Sequence, residues 1–308
     1  MSPLHRYRRQ SAGRLKQAQR GIALVMVLWM SVLLAVLVAS FSIAARTETL
    51  QARNMLDTIT ARYAAEAGLH YAVFQLRMPD PTQRWVGDGR NYEFDLEGTL
   101  VAVSVIDESG KIDVNAADLM ALITLFSGAG RSQEDAEALS ARIMDWRDPD
   151  DLITEPNGAE KRDYERADLS YGPRDQPFQT VDEIQQVLGM DYETYLSIEP
   201  LITIYSGRTE PNWAFAPREV LLALIPGDPA AIDSFIEQRE IAPPGTPLVL
   251  PDGRPALAQG GGLTYTVRSV ATLPSGATAT LEATVRLGTG SIASRPFRIV
   301  RWRDAQSS

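Results

Sequence analysis

The sequence predicts an α+β fold, with a long N-terminal helix packed on an antiparallel sheet and a large helical domain inserted between the sheet strands. Three observations predict it. An uncharged run from Ile22 to Ala45 continues into an amphipathic stretch that reaches Leu76. Strand-like alternation occurs in two blocks far apart, near 92–105 and 263–302, and the pattern between them is helical.

The N-terminal segment comes first. Arg6, Arg8, Arg9, Arg14, Lys16 and Arg20 precede Gly21 with no acid among them, so charge bias holds this end in the cytoplasm and places everything after Arg46 across the membrane. The apolar run of 24 residues is enough, at roughly 1.5 Å per residue, to cross a hydrocarbon core of about 30 Å. Three fates fit such a start. A secretory signal has an apolar core of roughly 7–15 residues and a small-residue cleavage site behind it, which Ser42-Ile43-Ala44 matches only loosely. An uncleaved anchor is the second. The third places processing before the run, at Gly21.

From Arg46 the helix continues, with Leu50, Met55, Ile59, Tyr63, Ala64, Ala67, Tyr71 and Phe74 recurring near helical spacing. Ala64-Ala65-Glu66-Ala67-Gly68 is a small-residue patch suited to close packing on a sheet, with Glu66 as a structural acid. Met78-Pro79-Asp80-Pro81 ends the helix. Tyr92, Phe94 and Leu96 then alternate with polar residues, Glu97-Gly98 supplies a turn, and Val101, Val103 and Val105 alternate again, which is a hairpin pattern. The second block consists of 263–271, a Pro274-Ser275-Gly276 turn, 278–287 and 296–302.

The economical arrangement is one sheet built from both blocks. Residues 1–21 form the leader, 22–45 the membrane segment, 46–111 the long helix and first strands, 112–241 the inserted helical domain, and 242–308 the remaining strands and tail. Within the insert, Ser109-Gly110-Lys111 before Asn115 and Ser206-Gly207-Arg208 before Asn212 make a weak repeat, each followed by a helix. Asn115 is expected to cap the first helix, Pro217 to sit in the first turn of the second, and Thr180-Val181-Asp182-Glu183 to start another that runs to Gly189. The Pro- and Gly-rich stretch from Pro243 to Gly262 reads as a surface loop. Trp213 and Phe215 read as core aromatics.

Charge and composition narrow the function classes. The formal net charge of −9 becomes more negative by six, −15, once the six basic leader residues are removed. An exported region this acidic repels nucleic acid and attracts divalent cations. There are no cysteines and two histidines, His5 and His70, which excludes thiolate catalysis and most zinc sites; the chain is read as no enzyme. The most chemically loaded stretch runs from Asp145 through Asp148, Asp150 and Asp151 to Glu160 and Asp163. Clustered carboxylates repel one another, and a hard cation such as calcium, which takes roughly 6–8 oxygens, relieves that repulsion. The stretch does not follow the EF-hand pattern. Its alternative is a solvated acidic loop paired with Arg147, Arg162 and Arg166.

Arg20-Gly21 followed by Ile22, an apolar helix and a polar helical continuation resembles the class III signal of type IV pilins and type II secretion pseudopilins. The resemblance implies that a prepilin peptidase cuts after Gly21 on the cytoplasmic side and methylates Ile22, leaving the helix as inner-membrane anchor and filament core. Most members carry glutamate at the fifth mature position, where this chain has Met26. Its loss is typical of the K-type minor pseudopilin, and Asp107–Asn115 and Ala216–Leu221 are similar to that family's two helical subdomains. The family's Asn-Thr-Ala-Pro is here Ala214-Phe215-Ala216-Pro217.

The K-type resemblance implies a pilin-like fold and a structural calcium loop, with Asp148, Asp150 and Glu160 as ligands, Asp151 and Asp163 as further candidates, and Asp145 as a helix-end acid behind them. It also implies a tip subunit of the type II secretion pseudopilus, needed for assembly and export across the outer membrane. Its main domain would be periplasmic and its partners I- and J-type minor pseudopilins. The helical units also resemble helix-hairpin-helix modules, so a membrane-anchored DNA receptor is the rival reading. Gly189 is followed by Met190-Asp191, and residues 181–199 hold acids but no Lys or Arg, so no nucleic acid is expected.

Overall fold

The structure is a computed structural model that describes residues 18–243, 246–256, 260–288 and 296–305, without the side chains of 18–21, 304 and 305. The leader through Gln17 and parts of the Pro/Gly-rich stretch, 244–245 and 257–259, lie outside the described residues. The chain divides into Met1–Ile59 and Thr60–Ser308.

A single helix, α1, runs over Ala18–Leu76. Neither Gly nor Pro interrupts it between Ile22 and Gly68, and in its first unit four hydroxyls bond back to the helix. Ser31 Oγ donates to Val27 O at 2.8 Å, and Thr47, Thr49 and Thr58 bond likewise to the carbonyls four residues back. Such internal satisfaction is what a lipid environment demands of Ser31. Among the described residues this is the one helix long and apolar enough to cross a membrane.

In the second unit five antiparallel strands follow the order β1-β2-β7-β8-β9: β1 Asp88–Leu96, β2 Thr99–Asp107, β7 Thr264–Thr272, β8 Thr278–Leu287 and β9 Phe297–Ala305. Glu97 and Gly98 both take positive φ, 51° and 86°, the twist a two-residue hairpin turn needs. Period-2 alternation puts Val101, Val103, Val105, Val267, Leu281, Ala283 and Val285 on one face, against Ala64, Ala65, Leu69, Ala72, Val73 and Leu76 of α1. That buried helix face is rotated from the stripe the sequence suggests: Tyr63 and Phe74 remain exposed.

Between β2 and β7 stands the helical insert, in chain order β3 Ile112–Asp113, α2 Leu119–Gly128, α3 Gln133–Arg147, α4 Lys161–Arg166, α5 Tyr192–Ile198, β4 Ile202–Thr203, α6 Arg218–Leu224 and α7 Pro229–Ile241. β3 and β4 pair in parallel, joining the two halves of the weak repeat. Its core is separate from that of the sheet and includes Phe126, Ile143, Trp146, Tyr164, Ile184, Ile198 and Leu221. Polar contacts tie insert to sheet. Arg239 of α7 donates to Asp88 O at 3.1 Å and Ala216 O at 2.8 Å, and Arg301 and Arg303 of β9 pair with Glu199 at 3.0 and 2.9 Å.

Several local expectations change. Asp118, not Asn115, caps α2, its Oδ1 accepting from Ala121 N at 2.8 Å. Asn115 stands one turn earlier, its N donating to Asp113 Oδ1 at 2.9 Å, and its side chain bonds the distant Phe178 backbone instead. Pro217 stands at the N-cap of α6. Val181–Gln186 is a 3-10 helix, and Thr180 makes no side-chain cap, since Glu183 takes Gln179 N at 2.9 Å. The Pro/Gly-rich stretch contains a two-stranded ribbon, β5 Leu248–Val249 with β6 Pro255–Ala256, whose Leu250 and Ala256 join the insert core. Trp213 is half-buried on that core under the Arg254 guanidinium, 4.7 Å from its ring centre; Phe215 lines a cleft rather than the core.

Candidate functional site

The acidic stretch is built on the end of α3. Helical phase buries Ile143, Trp146 and Asp145 together, and Asp145 is fully buried. Its two oxygens clamp the following loop, Oδ1 accepting from Thr154 N at 2.9 Å and Oδ2 from Ala159 N at 2.7 Å. Gly158 is required between them, because a Cβ there would overlap Asp145 Oδ2. Trp146 anchors the underside, stacked on Phe178 at 6.0 Å with its Nε1 donating to Glu183 at 3.2 Å. Arg147 turns away from the acids to the Ala117 carbonyl at 2.6 Å.

The five candidate ligands fall into two groups. Asp148 Oδ1 and Glu160 Oε1 are buried with no hydrogen-bond partner, which is costly for a carboxylate unless something else binds it. Burial first, then the charges of Asp145, Asp175, Asp148 and Asp151, raise the Glu160 carboxyl to about 7. Asp148 is raised by burial and then by Asp150 and Asp145. Asp163 is already engaged: Oδ2 accepts Glu160 N at 3.0 Å, and Oδ1 pairs with Arg166 at 2.8 Å. Asp150 Oδ1 accepts Leu152 N at 2.9 Å, and Asp151 is exposed.

Asp175 is a member the sequence reading missed. It lies far along the chain with no acid pattern around it. Asp175 N donates to Trp146 O at 3.1 Å, which brings the residue back beside the loop. Among the described residues no group of three or more His, Asp or Glu side chains converges in a metal-holding arrangement. What the loop does hold is two unpartnered carboxylate oxygens among mutually repelling acids, while Asp163 serves the helix start.

The rival sites resolve differently. Around Gly189, whose φ is 84°, the fold gathers Arg131 and Arg142, which the local sequence lacks. Both are engaged by protein groups: Arg142 donates to Leu188 O at 3.0 Å and Asn157 O at 3.2 Å, and Arg131 pairs with Asp191 at 2.8 Å. His70 is exposed and packs edge-on against Phe297 at 5.6 Å. Glu66 pairs with Arg62 at 3.4 Å, the geometry of a helix-surface acid. In the first unit, α1 leaves Leu50, Met55, Leu56 and Ile59 exposed. Ile22 follows Gly21 within the helix.

Comparison with known proteins agrees with this architecture. A sequence model of the family described as "Type II secretion system (T2SS), protein K" matches residues 98–207. The "Type II secretion system protein K" of Klebsiella pneumoniae is 29% identical over 211 residues, spanning 62% of this chain and 64% of that relative's length. The fold is also similar to a chain in the crystal structure of the GspK-GspI-GspJ complex from the enterotoxigenic Escherichia coli type 2 secretion system. The TM-score is 0.52 at 17% identity, covering 85% of this chain and 99% of that one. By the family match over the sheet crossover and acidic stretch, the curated relative, and a fold in agreement, the chain is similar to the K-type minor pseudopilins of type II secretion.

Proposed function

We propose that this chain is the tip subunit of the type II secretion pseudopilus, anchored in the inner membrane by residues 22–45 and required for pseudopilus assembly and protein export across the outer membrane. The family is a structural, non-catalytic component, so the work is done by assembly. The observation that carries the reading is the separately cored helical head set between β2 and β7 of a pilin-like sheet. A head of that bulk blocks addition of a further subunit above it, and Met26 in place of an acid removes the charge that would receive one.

I- and J-type minor pseudopilins are the proposed partners, supported by the composition of the complex in which the similar fold occurs. The exposed apolar residues Leu50, Met55, Leu56 and Ile59 are suited to helix-on-helix packing with them. Prepilin peptidase is proposed to cut between Gly21 and Ile22 and methylate Ile22, with the leader cytoplasmic and the head periplasmic. The acidic loop is proposed to hold a structural calcium through Asp148 and Glu160, with Asp150, Asp151 and Asp175 nearby; the ion would supply charge neutralisation and loop order.

Gly21→Ala tests the assignment. The variant is expected to keep its basic leader, to appear longer by mass spectrometry of its N-terminus, and to abolish secretion. Normal trimming and normal export in that variant would contradict the proposal.

A further inference from the structure

The helical head meets the sheet without a shared core. The two hydrophobic cores have no residue in common, and along the flank of the seam between β1 and α7 lies a cleft of about 710 Å³, walled by Trp85, Tyr92, Phe215, Leu248, Tyr265 and Leu287. What ties the flanks is polar. On the cleft side Arg239 donates to Asp88 O and Ala216 O and pairs with the Asp88 carboxylate at 3.4 Å. On the β9 side Glu199 takes Arg301 at 3.0 Å and Arg303 at 2.9 Å, and Asp182 stands 3.6 and 3.5 Å from the same two guanidiniums. Two parts of one chain joined in this way move relative to each other by default, and only a large apolar interface suppresses that motion.

The chain crosses the seam twice, outward through Glu108-Ser109-Gly110 and back through Gly260-Gly261-Gly262. Both crossings hang on one side chain. Asp107, fully buried at the end of β2, accepts Ser109 N on Oδ1 at 2.8 Å and Gly262 N on Oδ2 at 2.6 Å. Asn212 joins the crossings a second time, its N donating to Ser109 O at 2.7 Å and its Nδ2 to Gly260 O at 3.0 Å. Glycine is required where they lie closest, since a Cβ at Gly262 would stand 2.6 Å from Asp107 Oδ1 and one at Gly110 would stand 2.5 Å from Phe215 O. Two short crossings tied side by side have the build of a hinge, in which a few residues between packed bodies absorb the change in backbone angle.

We propose that the head pivots on the sheet as one piece about these two crossings, with Asp107 as the clasp that sets its rest position and the Arg301/Arg303–Glu199/Asp182 cluster as the latch on the β9 flank. Swinging away from β9 hands the four latch charges to water, where their pairing has small weight. The same swing narrows the cleft on the β1 flank and takes apolar wall out of water, which offsets the loss. The pivot is a property of the fold whether or not the chain caps a fibre.

The chain has no cysteine, so introduced pairs can be labelled cleanly. The test uses the full chain in detergent, with nitroxide labels on Ser127→Cys of α2 and Thr278→Cys of β8, exposed positions on either side of the seam, and a control pair, Ser127→Cys with Gln186→Cys, inside the head. Distances are read by pulsed electron spin resonance. The cross-seam pair is expected to give two distances or one broad one, and the control pair a narrow one. Arg301→Gln with Arg303→Gln, and separately Glu199→Gln, should shift weight from one cross-seam distance to the other and leave the control unchanged. Asp107→Asn keeps one acceptor but turns an N–H toward the second backbone donor, and should give the widest cross-seam spread; if it does not fold, the latch variants, at partly exposed positions, decide alone. A single narrow cross-seam distance that no latch variant shifts would overturn the proposal. Equal broadening of both pairs would overturn it too, since the head would then be softened rather than pivoting.

Discussion

Asn115 commits its whole amide to one distant backbone group, Nδ2 donating to Phe178 O at 2.9 Å and Oδ1 accepting Phe178 N at 2.8 Å. Asn115→Ala leaves both Phe178 groups unmet in a half-buried place, so a loss of about 2–3 kcal/mol is expected in urea denaturation. Asn115→Asp keeps the acceptor alone and should fall between the two. Unchanged midpoints would contradict the clasp. Glu160 gives a second residue-scale test, in the pH dependence of stability. Its carboxyl is raised from 4.5 to about 7, so the folded chain holds that proton more tightly than the unfolded one. Stability from this group is full below about 4.5, falls as pH rises to about 7, and is level above it, a loss of roughly 3 kcal/mol at most. Melting of the chelator-treated protein from about pH 5 to 7.5 should show the decline, and Glu160→Gln should flatten it. Added calcium should remove the slope in the unmodified chain and do nothing in the variant; identical slopes in all three would sink both the repulsion and the proposed metal.

At the scale of elements, Gly68 decides how closely α1 lies on the sheet. A methyl there would overlap Ser269 Oγ and stand 2.9 Å from Val101 Cγ1. Alanine gains up to about 1 kcal/mol of helix propensity, but overpacking a buried seam typically costs about 1–3 kcal/mol, so Gly68→Ala is expected to destabilise. Ser269 is fully buried and its hydroxyl unpartnered. Ser269→Gly should therefore rescue part of the loss in a double variant, read by thermal melting, whereas additive effects would place the strain elsewhere. The same scale shows what the sequence makes legible. Strand alternation at 92–96 and 101–105, and the uninterrupted run of α1, are local signals, and they fall where the structure has those elements. The diversion of Asn115 from its cap depends on Phe178, tens of residues away, and the 3-10 form of Val181–Gln186 and the short ribbon at 248–256 are elements too brief for a periodicity to report. In the acidic loop the cluster itself was visible. The diversion of Asp163 to a helix start and the return of Asp175 through Trp146 O were not.

On the scale of the molecule, the second unit has two hydrophobic cores that share no buried residue. The helix–sheet core draws on α1, β2, β7 and β8, and the other on residues between Ile112 and Ala256. Asp107 and Tyr265 are direct register partners on β2 and β7, so the ends of the insert lie a strand spacing apart. Replacing residues 109–263 with a short Gly-rich turn therefore removes one core whole and leaves the other with its contacts. The charges that lose a partner in the deletion, Arg301 and Arg303 on β9, Glu108 without Lys111 and Asp88 without Arg239, come to lie at the newly opened surface, where ion pairs carry small energetic weight. The headless chain is expected to fold and melt cooperatively with its helix on the sheet, and loss of cooperativity would contradict the two-core division. If the head is what stops growth, the same variant should fail to terminate pseudopili, giving longer fibres by electron microscopy in cells overproducing the major subunit. Fibres of unchanged length from a folded, membrane-inserted headless chain would leave the head without a capping role and shift termination to the helix, where this chain has Met26.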